Sequence, residues 1–249
     1  VHPVLCEDVL AVGLTIRNHP QSPNTDGLNP ESSQKIRLVG LDISVGDDCV
    51  AIKAGKRDPR GGPDRPTRNV EIRNCLMQRG HGAVVMGSEM SQGISDVTIS
   101  RCHFIGTDRG LRIKTRRGRG GTVSKISVHD CRMEDVATPI AVNAFYFCDF
   151  DGKSDWVQSR EPAPVDDTTP VIAEITMTRV TATGVTAAAA AVLGLPESPV
   201  TGVTLSDVTV SYDPTATPQV PLMACHVPEV RHGRIWAEFA DVTGDIICI

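Results

Sequence analysis

NVEIRNC, residues 69–75, returns as DVTISRC at 96–102, KISVHDC at 125–131, EITMTRV at 174–180 and GVTLSDV at 202–208. Earlier variants read VLAVGLTIRN at 9–18 and IRLVGLDIS at 36–44. Each copy alternates apolar and polar residues with period two, the mark of a half-buried strand. The copies start at 69, 96, 125, 174 and 202, so the steps are 27, 29, 49 and 28 residues. A strand recurring at that interval cannot bury its apolar face alone, but stacked copies share one continuous core. Leucine-rich repeats have a similar length, yet their leucine and asparagine frame is absent. Helical repeats need a period of 3.6, which these segments lack. TAAAAAVLG (186–194) is the one helix-like stretch, and it reads as a rung of small residues. The pattern predicts an all-β parallel solenoid.

The step of 49 inserts residues 139–170 between two rungs, and that stretch holds five of the nine aromatics: Phe145, Tyr146, Phe147, Phe150 and Trp156. Rung insertions become loops on one face, often the binding face. A second interruption, KAGKRDPRGGPDRPTRN (53–69), is rich in Gly, Pro and Arg. Both are expected to wall a cleft. Cys75, Cys102 and Cys131 share one repeat position and should stack at about 4.8 Å. Parallel stacked side chains do not favour the ~90° torsion of a disulfide, so a ladder of free thiols is expected. No cysteine or histidine spacing suggests zinc.

With 249 residues the chain can bury a sizeable core in one domain, 1–249. A formal charge of −5 argues against general nucleic-acid affinity. No run approaches the ~18 apolar residues of a membrane helix. Thiol usage leaves the compartment open between secreted, periplasmic and cytoplasmic, and nothing in the sequence bears on oligomeric state. The chain begins at Val1 without methionine, and a removed leader or longer N-terminal part is expected.

Four short strings carry the chemistry: NTDG (24–27), GDD (46–48), GHG (80–82) and RIK (112–114). Together they supply three carboxylates, Asp26, Asp47 and Asp48, one imidazole, His81, and two fixed cations, Arg112 and Lys114. Paired carboxyls serve as acid and base across a glycosidic bond. Arg and Lys hold a substrate carboxylate, the one as a planar fork and the other as a point charge. Adjacent aspartates on a regular strand face opposite ways. For Asp47 and Asp48 to reach one cleft the backbone must bend, which Gly46 permits. Crowded carboxylates raise one another's pKa, keeping one protonated as an acid. Arg112 and Lys114 are two apart and project from one strand face. They sit in a basic run, Arg109 to Arg119, in which Arg116, Arg117 and Arg119 are expected to form a solvated edge.

The ordered set resembles glycoside hydrolase family 28, the polygalacturonases and their relatives. The likeness extends through NTDGLNPESS, GDDCVAIKAG, GHGAVVMGSEMSQG and GTDRGLRIKTRRGRGG, over roughly residues 1–215. It implies a single-stranded right-handed parallel β-helix of the pectin-lyase type that hydrolyses α-1,4-linked galacturonate with inversion and without metal or other cofactor. The partner it implies is an acidic polysaccharide or oligogalacturonide, with neither nucleic acid nor membrane. Motif matching makes Asp47 the general acid, with Asp26 and Asp48 positioning and deprotonating the attacking water. His81 would hydrogen-bond the acidic aspartate and tune its protonation. Asn24 would orient Asp26 or contact substrate, and Arg112, Lys114 and Tyr146 would contact substrate. Members of the family carry extra N-terminal coils and a cap, which this chain is expected to lack. The 53–69 insertion and the SEMSQG string resemble exo-acting bacterial members, which implies release from chain ends. A rhamnogalacturonan hydrolase, a pectate lyase needing calcium, and a non-catalytic polysaccharide-binding β-helix are the competing readings.

Overall fold

The computed structural model describes residues 1–57, 62 and 64–249. It is a right-handed parallel β-helix, with the strands of successive rungs paired in parallel and in register. Three strand faces build each coil. The first face stacks Glu7–Val12, Gln34–Val39, Thr67–Arg73 and Ile94–Ser100, then the front halves of Thr122–Glu134, Val171–Val185, Val200–Tyr212 and Ala240–Cys248. The second begins with Thr15–Arg17, Asp42–Ser44, Leu76–Gln78 and His103–Ile105, and continues in the rear part of the long strands. The third stacks Val50–Ile52, Val84–Gly87, Arg109–Lys114, Thr138–Asn143, Ala188–Leu193 and Gly233–Glu238.

The repeated apolar positions become columns. Val9, Ile36, Val70, Val97, Ile126, Ile175, Val203 and Val242 lie at one register level through successive rungs. Most of that column is fully buried, which is how a strand too short to fold alone finds a core. Corners repeat as well. Gly40, Asn74, Arg101, Asp130, Arg179 and Asp207 occupy one corner with φ between 51° and 63°. That left-handed conformation is easiest for Gly and tolerated by Asn and Asp, which accounts for most of the residues found there. Cys75, Cys102 and Cys131 are buried neighbours in the next column, and all eight cysteines are unpaired.

The alanine run is a strand, Ala188–Leu193, buried along its whole length. The aromatic insertion is shorter than 139–170, because Thr138–Asn143 belongs to the third face. The remainder, 144–170, is a loop with one short helix, Asp155–Gln158. Of the 53–69 interruption, residues 58–61 and 63 lie outside the described residues, and Thr67 already opens a strand. Past Pro214 the coil continues, with Gly233–Glu238 and Ala240–Cys248 adding strands to the third and first faces. Trp236 pairs with Ala191 there.

The expected solvated edge at Arg116, Arg117 and Arg119 is instead buried. Arg116 grips Asp151 with two bonds of 2.6 and 2.8 Å. Arg117 grips Glu197 at 2.6 and 2.8 Å and also donates to the carbonyl of Ser159 at 2.8 Å. Arg119 reaches Asp149 at 2.8 Å. A charge removed from water must be paired, and the 144–170 loop supplies most of the partners. The basic run thus pins the loop that overhangs the third face.

Candidate active site

The turns leading into the third face place one chemical group after another, rung by rung. Asn24 and Asp26 come from the first turn, Asp47 and Asp48 from the second, His81 from the third. Arg112 and Lys114 follow from the fourth rung's strand, with Asn143 paired beside Lys114 in the fifth. Glycine lets these turns approach. A Cβ on Gly80, which has φ +73°, would lie 2.0 Å from the Asp47 carbonyl oxygen. A Cβ on Gly46 would meet the Ser22 carbonyl oxygen at 2.5 Å, so that glycine serves close approach between turns and not a left-handed backbone.

Asp48 is the buried centre, 1% exposed. Its Oδ2 accepts from Lys114 Nζ at 2.6 Å and its Oδ1 from Arg112 Nη1 at 3.1 Å. Burial pushes this carboxyl up, but the Lys114 and Arg112 charges prevail and bring it below the ordinary carboxylate range. The two cations thus favour Asp48 as the anion.

Asp47 is half-buried and, among the described residues, is held by backbone donors. Its Oδ2 accepts from the Asn24 amide at 3.2 Å and its Oδ1 from the Asp48 amide at 2.9 Å. Asn24 thus contributes its main chain, orienting Asp47 and not Asp26. Asp26 has its own surroundings: Asn29 Nδ2 donates to it at 2.7 Å and Lys53 Nζ lies 3.7 Å away. Burial raises its pKa first, with smaller increases from Asp48 and Asp47, against the lowering by Asn29 and Lys53. Asp26 is thus made more basic, where Asp48 is made less so.

The His81 backbone N–H donates to the Asp47 carbonyl at 3.3 Å, but among the described residues its imidazole bonds neither member of the Asp47–Asp48 pair. Its Nδ1 faces Asp108 Oδ2 at 2.7 Å, and this bond holds the imidazole pKa above its ordinary value despite partial burial. Asp108 was not among the residues expected here. The rung period carried the signal, because Asp108 follows His81 by 27 residues, one turn of the coil. Tyr146 presents its ring to both cations, with Arg112 Cζ 5.4 Å and Lys114 Nζ 5.3 Å from its centroid. Its neighbour Phe145 points into the core and is fully buried.

A cavity of about 160 Å³ opens beside these groups, bounded by His81, Asp108, Arg109, Arg112, Lys114 and Asn143, with Leu222 and Met223 closing one side. The last two come from the segment between Val200–Tyr212 and Gly233–Glu238, which no repeat pattern marked. That segment is tied down by Arg112 Nη2 on the Met223 sulfur at 3.2 Å and Asn143 Nδ2 on the Met223 carbonyl at 3.0 Å. Among the described residues no group of three His, Cys, Asp or Glu side chains is placed to hold a metal ion. What the arrangement can do is transfer protons between carboxyls of different basicity beside a positively charged pocket.

The sequence model described as "Glycosyl hydrolases family 28" matches residues 2–226. A "Probable polygalacturonase" of Vitis vinifera is 36% identical over 94% of this chain and 45% of its own length. An "Exopolygalacturonase" of Zea mays is 30% identical over 84% of this chain and 47% of its own. Among solved structures, an exopolygalacturonase from Thermotoga maritima superposes with a TM-score of 0.79 at 25% identity, covering 100% of this chain and 49% of that one. A polygalacturonase from Erwinia carotovora gives 0.69 at 25% identity, covering 97% and 53%. The chain spans about half the length of these relatives.

Proposed function

The chain belongs to glycosyl hydrolases family 28, and from that premise we propose that it hydrolyses the α-1,4-galacturonide bonds of polygalacturonate with inversion, acting at chain ends. The observation that carries this reading is the buried Asp48 carboxylate clamped by Arg112 and Lys114, with Asp47 and Asp26 on neighbouring turns. By its match to the GDD string Asp47 is the group to protonate the leaving glycosidic oxygen, its half-buried carboxyl oriented by the Asn24 and Asp48 amides. Asp26, raised by burial, is the stronger base of the other two. Asp48, fixed as an anion, orients the attacking water from which Asp26 takes the proton. The proton Asp47 gives up leaves with the sugar alcohol; Asp26 then releases the water's proton to solvent and Asp47 takes one up, so the site is restored after each cycle.

Arg112 and Lys114 each spend one donor on Asp48 and retain others for the galacturonate carboxylate, with Tyr146 stacked against both. His81, paired with Asp108, borders the same pocket. Exo action is supported by Leu222 and Met223, which wall one side, and by the exopolygalacturonases of Thermotoga maritima and Zea mays among the similar proteins. Digestion of polygalacturonate without calcium tests the reading. Saturated monomer or dimer from the outset supports exo hydrolysis, and a ladder of oligomers removes the exo assignment alone. Unsaturated products would instead mark a lyase.

A further inference from the structure

The pocket beside the aspartates holds more positive charge than the protein neutralises. Three cations line it: Arg109, Arg112 and Lys114. Asp48 answers both Arg112 and Lys114, and the other carboxylate present, Asp108, is engaged by His81. Arg109 has only backbone acceptors among the described residues, the Asp108 carbonyl at 2.7 Å and the Val220 carbonyl at 3.4 Å. The second contact is long, and most of the five guanidinium donors are left unused. Burial, with Arg112 close by, lowers the Arg109 pKa to about 10. Asp108 offsets part of this but makes no ion pair with Arg109 among the described residues, being turned to His81, so the free guanidinium donors can be completed by an anion from outside.

We propose that Arg109 binds the carboxylate of the acidic sugar in this pocket and is thereby a specificity-determining residue favouring a charged ring over a neutral or esterified one. The proposal rests on the galacturonide reading above and extends it to a residue outside the RIK string. Arg109 opens the strand Arg109–Lys114 and lines the same pocket as Arg112 and Lys114. A planar fork there can take a carboxylate bidentately, which a lysine cannot reproduce in full.

The test is calorimetric titration of digalacturonate and of its dimethyl ester into Asp47→Asn protein, which keeps both ligands intact. The same titrations are made with Arg109→Gln and Arg109→Lys added, and thermal melting checks that each variant is folded. The expected result is digalacturonate binding weakened about 10- to 100-fold by Arg109→Gln, as loss of a charged hydrogen bond implies. Arg109→Lys should recover part of that loss, and dimethyl-ester affinity should change less than about twofold. Equal weakening for both ligands would overturn the proposal, because Arg109 would then act by holding the Val220 segment. So would unchanged affinity for both. If the Asp47→Asn parent binds neither ligand, the galacturonide reading itself fails and takes this inference with it.

Discussion

At the level of single residues the site is a set of carboxylates given different proton affinities by their neighbours. Asp48 is surrounded by Lys114 and Arg112 and depressed, so the stability it contributes is present above the unfolded aspartate pKa, about 3.9. That contribution is lost as pH falls through the lower folded value. Asp48→Asn strands two buried cations and should cost about 3–5 kcal/mol at neutral pH. A chemical denaturation series against pH should show the difference between wild type and variant shrinking under acid. Asp26 is raised, and the proposed mechanism needs it ionised, so kcat/KM should fall as pH drops through its pKa. Lys53 lowers that pKa by its charge, hence Lys53→Met should move the acid limb to higher pH. An unmoved limb would remove Asp26 from the role of base. The strings NTDG, GDD, GHG and RIK made these residues visible in the sequence. Their partners were less legible, since Asp108 and Asn29 are ordinary polar residues until the coil brings them alongside.

Secondary elements show the same division between pattern and contact. Alternation at a step near 28 residues announced the strands, and the alanine run was recognisable as a rung because small residues suit a face buried on both sides. The loops were recognisable as insertions, but not as structures anchored from beneath. Arg116, Arg117 and Arg119 read as a polar edge because adjacent arginines give no clue that acids 30 to 80 positions away will cover them. Arg117 and Glu197 are nearly fully buried, so Arg117→Met should destabilise by about 3 kcal/mol, the cost of leaving one buried partner uncompensated. Limited proteolysis should then cut within 144–170 before the rungs. Cutting at the wild-type rate would mean that the loop is held by other contacts. The segment carrying Leu222 and Met223 was the least legible, having neither alternation nor a motif. Its position follows from hydrogen bonds to Arg112 and Asn143 that only the folded coil provides.

For the molecule as a whole, the parallel coil is the device that converts a one-dimensional order of motifs into a three-dimensional site. Residues 26, 47, 81 and 112 are separated by 21, 34 and 31 positions, and each interval is about one coil. The hydrophobic columns hold that register without covalent cross-links, since all eight cysteines are unpaired. A thiol reductant should therefore leave the thermal midpoint within about 1 °C, whereas a structural disulfide would reveal itself by a drop of many degrees. On the proposed mechanism this coil aligns Asp47 as the acid of a galacturonide hydrolase. The most direct measurement is NMR of polygalacturonate digestion without calcium, following product size and anomeric configuration, with Asp47→Asn in parallel. The proposed mechanism predicts saturated monomer or dimer appearing first as the β-anomer, and turnover reduced about 10²–10⁴-fold by the substitution. Retained configuration, unsaturated ends, or undiminished turnover in Asp47→Asn would contradict it.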